Sequence, residues 1–181
     1  MIDWVQSTDW TILYWIQENI KCGFLDILVP KLTALGNGGT IWIIIGVLMT
    51  ISKKYRKNGI AVLIGLALGG IIGNLCIKNL VARARPCWID TTVSLLIKTP
   101  TGYSFPSGHT LSSTIGAFII TATNHKFGWV VIPLAVIIAC TRLYLFVHFP
   151  SDVLVAALLG LVIGTCVELA RRKICGETKQ N

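Results

Sequence analysis

The sequence predicts an all-α fold: a polytopic membrane helical bundle of about six helices, with an N-terminal interfacial segment. Two observations predict it. Hydrophobic residues make up 54% of the 181 positions and charged residues only 13%, about half of the ~25% in an ordinary soluble domain. So few charges cannot cover a water-soluble protein of this size. Mean hydropathy is +0.71, and the apolar residues come in blocks rather than alternating. A soluble enzyme, a disordered chain and a nucleic-acid-binding domain are therefore poor readings. The net charge of +8, from 16 Lys+Arg against 8 Asp+Glu, points instead to cationic loops facing anionic lipid, or to an anionic substrate.

The elements follow in chain order. In residues 1–21, Ile12, Trp15, Ile16 and Ile20 fall on one helical face, with Asp9, Gln17 and Lys21 elsewhere. That pattern suits a helix lying in the interface. No signal peptide is expected, because the first basic residue is Lys21, after acidic Asp3 and Asp9. Residues 40–51 are too short to span alone. They join residues 23–35 across the break Leu35-Gly36-Asn37-Gly38-Gly39. Residues 59–77 form an uncharged span. Residues 110–122 are less apolar, with Ser112, Ser113 and Thr114 near their start. Residues 128–140 continue to Phe149, interrupted only by Arg142 and His148. Residues 153–167 are closed by Glu168 and then Arg171, Arg172 and Lys173. This gives five spans, with room for a sixth in the first 35 residues, all in one membrane-embedded domain over 1–181.

Basic residues orient the bundle. Lys53, Lys54, Arg56 and Lys57, then Lys126, then Arg171, Arg172, Lys173 and Lys179 all fall on one side by span parity. The positive-inside rule makes that side, with the C-terminus, cytoplasmic. The loop 83–105 and the turn 149–151 then face outward. Trp42, Tyr55, Trp88, Tyr103 and Trp129 lie near span ends and read as interface anchors. Cys22, Cys76, Cys87, Cys140, Cys166 and Cys175 form no CxxC pair or Cys/His ligand spacing, so neither a disulfide nor a metal site is expected.

Ionisable groups within or at the edges of spans are costly, and are functional candidates for that reason. Here they are Lys78, Arg85, His109, Arg142, His148 and Asp152, in three pieces of chain that the topology brings to the outer ends of their helices. In the first piece, Lys78 and Arg85 are seven apart, so on one helix they point within ~20° of each other. Pro86 then stops the helix, and Arg83 points off that face toward lipid headgroups. In the second, Ser107 is an N-cap and Gly108 lets a ligand approach the backbone. The free N–H groups of that helix start make an anion site beside His109. In the third, Pro150 disfavours helix at Phe149, so His148 ends one span and Asp152 opens the next. The turn can return the carboxylate to one imidazole nitrogen, leaving the other basic and exposed. Arg142 and His148, six apart, lie ~120° off a common helical face, which requires a distortion or a substrate gripped from two sides. Plainer roles stay open for each piece: snorkelling for Lys78 and Arg85, capping for Ser107, His109 and Asp152.

Together, three cations and a helix N-terminus complement a phosphate. Asp152 is the only acid in the three pieces, so no carboxylate cluster for a metal is expected. Two histidines without a metal suggest in-line displacement at phosphorus. His148 would attack to give a phosphohistidine, and His109 would protonate the leaving oxygen.

Lys78-x6-Arg85-Pro86, Pro106-Ser107-Gly108-His109 and Thr141-Arg142-x5-His148-x3-Asp152 resemble, in order and spacing, the three signature motifs of the type-2 phosphatidic acid phosphatases. One departure is Thr141, where that family usually has Ser. The resemblance implies an integral membrane lipid phosphatase with a six-helix core and a motif core over 78–152. It implies His148 as nucleophile, Asp152 as its orienter and His109 as acid, with Lys78, Arg85, Ser107, Gly108 and Arg142 binding phosphate and no cofactor. Undecaprenyl diphosphate ranks slightly above phosphatidylglycerophosphate or phosphatidate as substrate, with an outward-facing site. A lipid phosphotransferase using the same histidine stays open, as does a non-catalytic anion transporter. A soluble haloperoxidase, which resembles the same motifs, is excluded by the hydropathy.

Overall fold

The computed structural model describes residues 3–176, and every regular element among them is helical. Lys179, counted above with the cytoplasmic cluster, lies outside the described residues. The elements are α1 (Asp3–Asn19), α2 (Gly23–Ala34), a 3₁₀ turn (Asn37–Gly39), α3 (Thr40–Ile51), α4 (Arg56–Gly69), a π-helical stretch (Gly70–Ile77), α5 (Lys78–Val81), α6 (Pro86–Ile89), α7 (Gly108–Thr123), α8 (His125–Tyr144) and α9 (Pro150–Ile174). Three stretches, Arg56–Ile89, His125–Tyr144 and Pro150–Ile174, are long and apolar enough to cross a bilayer. The pair Gly23–Ala34 and Asn37–Ile51, bent by 42°, makes a fourth if it is one span. The break falls at the expected glycine run, where Gly38 and Gly39 take positive φ.

The expected span over residues 110–122 is α7, whose 16 residues rise ~24 Å, short beside a ~30 Å hydrocarbon core. It runs along the axis of the bundle from the Gly108–His109 end to the Ala122–Thr123 end, packed by α8, α9, α4 and α3. Lipid tails are as apolar as leucine, so burying apolar faces does not by itself drive these helices together; close packing does. Accordingly, large side chains such as Leu75, Val130 and Leu158 stay on the outside, while glycines admit partners inside. A Cβ at Gly116 would come within 2.6 Å of the Trp42 ring, and one at Gly65 within 2.8 Å of Ile115. Trp42 is therefore no interface anchor. It is fully buried, and its indole N–H donates to the Ser113 hydroxyl at 2.9 Å.

A second core gathers α1, α2 and the 145–149 turn, with Leu13, Val29, Tyr144, Phe146 and Phe149 buried together. The face of α1 differs from the expected one. Asp9 and Leu13 face inward, while Ile12, Trp15 and Ile20 are exposed. Trp10 meets the Phe149 ring edge-on at 5.1 Å, so α1 is docked on the bundle through its polar Asp9 as well as its apolar residues.

The chain also breaks where a single helix was expected to carry both Lys78 and Arg85. Helix α5 ends at Val81, and Ala82 adopts φ 48. Arg85 then caps α6, with Pro86 in its first turn. Pro86 starts a helix here rather than stopping one, which suits its fixed φ and missing N–H.

Candidate active site

Helix ends build the site. The start of α7, the end of α8 and the start of α9 meet around the 145–149 turn, with α5 and the residues before α6 closing one side. The distortion expected between Arg142 and His148 is present. Helix α8 ends at Tyr144, Phe146 takes φ 57, and the Val147 N–H donates back to the Arg142 carbonyl at 3.2 Å. Lys78, Arg85, Gly108, His109, Arg142 and His148 all line one cavity of about 540 Å³. Apolar Ile43, Leu63, Leu66 and Ala67 line the same cavity. Ser107 and Asp152 do not line it. Both are fully buried behind it, joined by a Ser107 N–H bond to the Asp152 carbonyl at 3.3 Å.

His148 is 2% exposed. Its Nε2 lies 3.0 Å from Arg85 Nη1. A guanidinium only donates, so Nε2 is the lone-pair nitrogen and the proton sits on Nδ1. That proton faces Asp152, whose Oδ2 is 3.6 Å from Nδ1. The distance is an ion-pair contact rather than a formed hydrogen bond. Ser104 stands between them: its hydroxyl donates to Asp152 Oδ2 at 2.5 Å and lies 3.4 Å from Nδ1. Asp152 Oδ2 also accepts the Phe149 N–H at 2.9 Å, which caps α9. Orienting the imidazole and capping the helix are thus done by one carboxylate. Burial, foremost, and the Arg85 and Arg142 charges push the imidazole down to about 3, against the pull of Asp152. The ring is neutral at physiological pH.

Two of the three cations, Arg85 and Lys78, are held by backbone oxygens. Arg85 donates from Nε to the Gly102 carbonyl at 2.6 Å and from Nη1 to the Val147 carbonyl at 2.7 Å. Lys78 donates to the carbonyls of Tyr103 and Pro106, both at 3.1 Å. These bonds pin the loop between α6 and α7 over the site. Arg142 donates to the Thr33 hydroxyl at 2.5 Å, and its buried Nε has no partner. Thr141 donates to the Ile138 carbonyl at 2.6 Å and lies 3.0 Å from the Thr33 hydroxyl, so it supports Arg142 through Thr33. Ser107 is the N-cap of α7, accepting from the Thr110 N–H. A Cβ at Gly108 would come within 2.8 Å of Asn74 Oδ1, so that glycine admits Asn74 of the π-helical stretch. His109 Nε2 lies 3.0 Å from Asn37 Oδ1. Among the described residues, no group of three or more His, Cys, Asp or Glu is placed to hold a metal.

Arg83 lies elsewhere than the helical spacing predicts. It was expected to reach lipid headgroups. It is buried, donating from Nη1 to Asp152 Oδ1 at 2.5 Å and from Nη2 to Asp9 Oδ2 at 2.7 Å. The break at Ala82 turns it inward, which a straight-helix reading cannot foresee. Sequence reasoning also passed over Ser104, Thr33 and Asn74, which are short polar side chains in ordinary loop or helix contexts without a spacing signal.

A family model described as the PAP2 superfamily matches residues 58–174. An undecaprenyl-diphosphatase of Sulfolobus acidocaldarius is 36% identical over 121 residues, which cover 66% of this chain and 58% of that protein. The chain thus spans little more than half the length of that relative. A decaprenylphosphoryl-5-phosphoribose phosphatase of Mycobacterium tuberculosis is 33% identical over 129 residues, 70% of each chain. The crystal structure of a PAP2 type phosphatidylglycerolphosphate phosphatase from Bacillus subtilis superimposes with a TM-score of 0.74 at 24% identity, over 97% of this chain and 88% of that one.

Proposed function

The chain belongs to the PAP2 superfamily, and from that premise we propose that it is a membrane lipid phosphatase. It removes the terminal phosphate of a lipid diphosphate through a phosphohistidine on His148. The observation that carries this reading is the single cavity shared by Lys78, Arg85, Arg142, His109 and the lone-pair nitrogen of His148.

His148 Nε2 attacks the terminal phosphorus, and the bond to the bridging oxygen breaks. His109 gives that oxygen a proton, releasing the lipid monophosphate. Water, deprotonated by His109, then displaces His148 and yields inorganic phosphate. Such hydrolysis asks for on the order of 20 kcal/mol of barrier lowering. Acid–base help supplies ~10²–10⁴-fold, and the fixed cations and the α7 N-terminus must supply most of the rest. Arg85 Nη1, 3.0 Å from the attacking nitrogen, is suited to follow a phosphoryl oxygen as the P–N bond forms. Asp152 balances the charge that appears on the ring.

A polyprenyl diphosphate is the favoured substrate. The apolar wall of Ile43, Leu63 and Leu66 beside the cations suits a lipid tail next to an anionic head. Two relatives carry names of phosphatases acting on prenyl-linked phosphates. The site faces outward on this reading, because Lys54, Arg171 and Arg172 gather at the opposite end of the bundle. The test is phosphate release from undecaprenyl diphosphate, phosphatidylglycerophosphate and phosphatidate in proteoliposomes, with and without vanadate. Vanadate-sensitive release, fastest from the prenyl diphosphate and lost in His148→Ala, supports the reading. Release undiminished in His148→Ala overturns it, and preference for a glycerolipid overturns the substrate.

A further inference from the structure

Phosphate binding asks nothing of Asp9 or Arg83, yet both are buried and both lead to Asp152. We propose that Asp9 and Arg83 are positioning residues that extend the His148–Asp152 pair into a four-residue chain, making helix α1 part of the working site. The matched family region, residues 58–174, holds the other three members but not Asp9.

The geometry is a fork. Arg83 Nη1 donates to Asp152 Oδ1 at 2.5 Å and to the Ser151 hydroxyl at 2.8 Å. Nη2 donates to Asp9 Oδ2 at 2.7 Å and to Gln6 Oε1 at 2.9 Å. The guanidinium stacks 4.0 Å above the Phe149 ring. Asp9 in turn accepts the Ser151 N–H at 2.9 Å and the Ser151 hydroxyl at 2.5 Å. Asp152 is therefore held at both oxygens: Oδ1 by Arg83, Oδ2 by Ser104 and the Phe149 N–H. A carboxylate fixed in this way cannot rotate, so its distance to His148 Nδ1 is set.

Charge gives the pair a second role. One guanidinium lies between two carboxylates, so Asp9, Arg83 and Asp152 together carry one negative charge. When His148 takes a phosphoryl group at Nε2 and keeps its Nδ1 proton, the ring gains positive charge, and the buried cluster becomes neutral. Without the Asp9 charge the same step would leave a buried net positive charge, which is costly in low dielectric. Arg85 and Arg142 already press positive charge on the ring from the cavity side. Asp9 thus favours the charge-forming step while touching neither substrate nor His148.

The kinetic consequence rests on the phosphatase reading; the effect on the His148 Nδ1–H does not. The experiment uses full-length protein in detergent and the variants Asp9→Asn, Arg83→Lys and, as a same-helix control, exposed Asp3→Asn. Asp9→Asn is expected to lower kcat for phosphate release from a prenyl diphosphate by about tenfold or more. KM and the vanadate inhibition constant should stay within about twofold. Arg83→Lys, which keeps the charge and loses the fork, should fall between, and Asp3→Asn should match wild type. Nitrogen-15 and proton spectra of the His148 ring should show the Nδ1–H signal shifted in Asp9→Asn, as Asp152 loses its fixed position, while Nε2 still accepts from Arg85. An unchanged kcat overturns the proposal, as does a fall in kcat, KM performance and vanadate affinity in step with a lower Tm. If wild type released no phosphate from any lipid, the functional reading would fail. The spectra would still decide: an Nδ1–H signal unaffected by Asp9→Asn overturns the chain, and a shifted one sustains it.

Discussion

Ser104 shows most plainly how this site is assembled from side chains that have no pattern of their own. Its hydroxyl is buried between Asp152 and His148. Ser104→Ala should slow turnover by about tenfold and cost ~1–3 kcal/mol of stability, because it leaves a buried carboxylate oxygen short of a donor. Phosphate-release kinetics and Tm on the same preparation check both. His148 gives a pH prediction. An unfolded chain takes up a proton near the ordinary imidazole value of 6.5, whereas the native ring resists it down to about 3. The contribution of His148 to stability is therefore whole above about pH 6.5 and is lost as pH falls toward 3. The Tm of wild type should drop through that window more steeply than that of His148→Gln. The sequence alone brought Lys78, Arg85, His109, Arg142, His148 and Asp152 together, because charged groups near span ends stand out against an apolar background. Ser104 and Thr33 do not stand out, since a short hydroxyl side chain can bond nearby backbone in any loop or helix. Arg83 was legible as a charge and misread in direction.

Among the elements, α7 carries the packing. Gly116→Leu would drive its side chain into the Trp42 ring and should lower stability by ~1–3 kcal/mol. Trp42→Ala should cost ~3–5 kcal/mol, and thermal unfolding in one detergent checks the two together. A smaller loss from Trp42→Ala than from a lipid-facing change such as Leu158→Ala would contradict the packing account. The blocks of apolar residues made α4, α8 and α9 legible, and the glycine run gave the break before α3. Helix α7 was seen as a segment but not as the axis, since its apolar residues look like any lipid-facing set. The inward face of α1 was missed for a related reason. Its pattern placed Asp9 on a polar side, and only the distant Arg83 and Ser151 give that carboxylate a reason to be buried.

At the level of the whole molecule, the bundle separates two kinds of positive charge. Lys78, Arg85 and Arg142 converge on one cavity, while Lys54, Arg171 and Arg172 gather at the other end. Arg171 and Arg172 are ion-paired to Glu168 there. The positive-inside rule assigns that second group to the cytoplasm. Cysteine substitutions at Lys54 and at Thr99, in a background with the native cysteines replaced, should label differently in intact cells. An impermeant maleimide should reach Thr99→Cys and not Lys54→Cys, and the reverse pattern would invert the proposed orientation. The central claim is that His148 carries the phosphoryl group. It is tested most directly by mixing the protein with a prenyl diphosphate labelled in its terminal phosphate, quenching in alkali and mapping the label. The account predicts an acid-labile, alkali-stable label on the peptide containing His148, absent in His148→Ala. Turnover in wild type with no label on that peptide, together with turnover in His148→Ala, would contradict it.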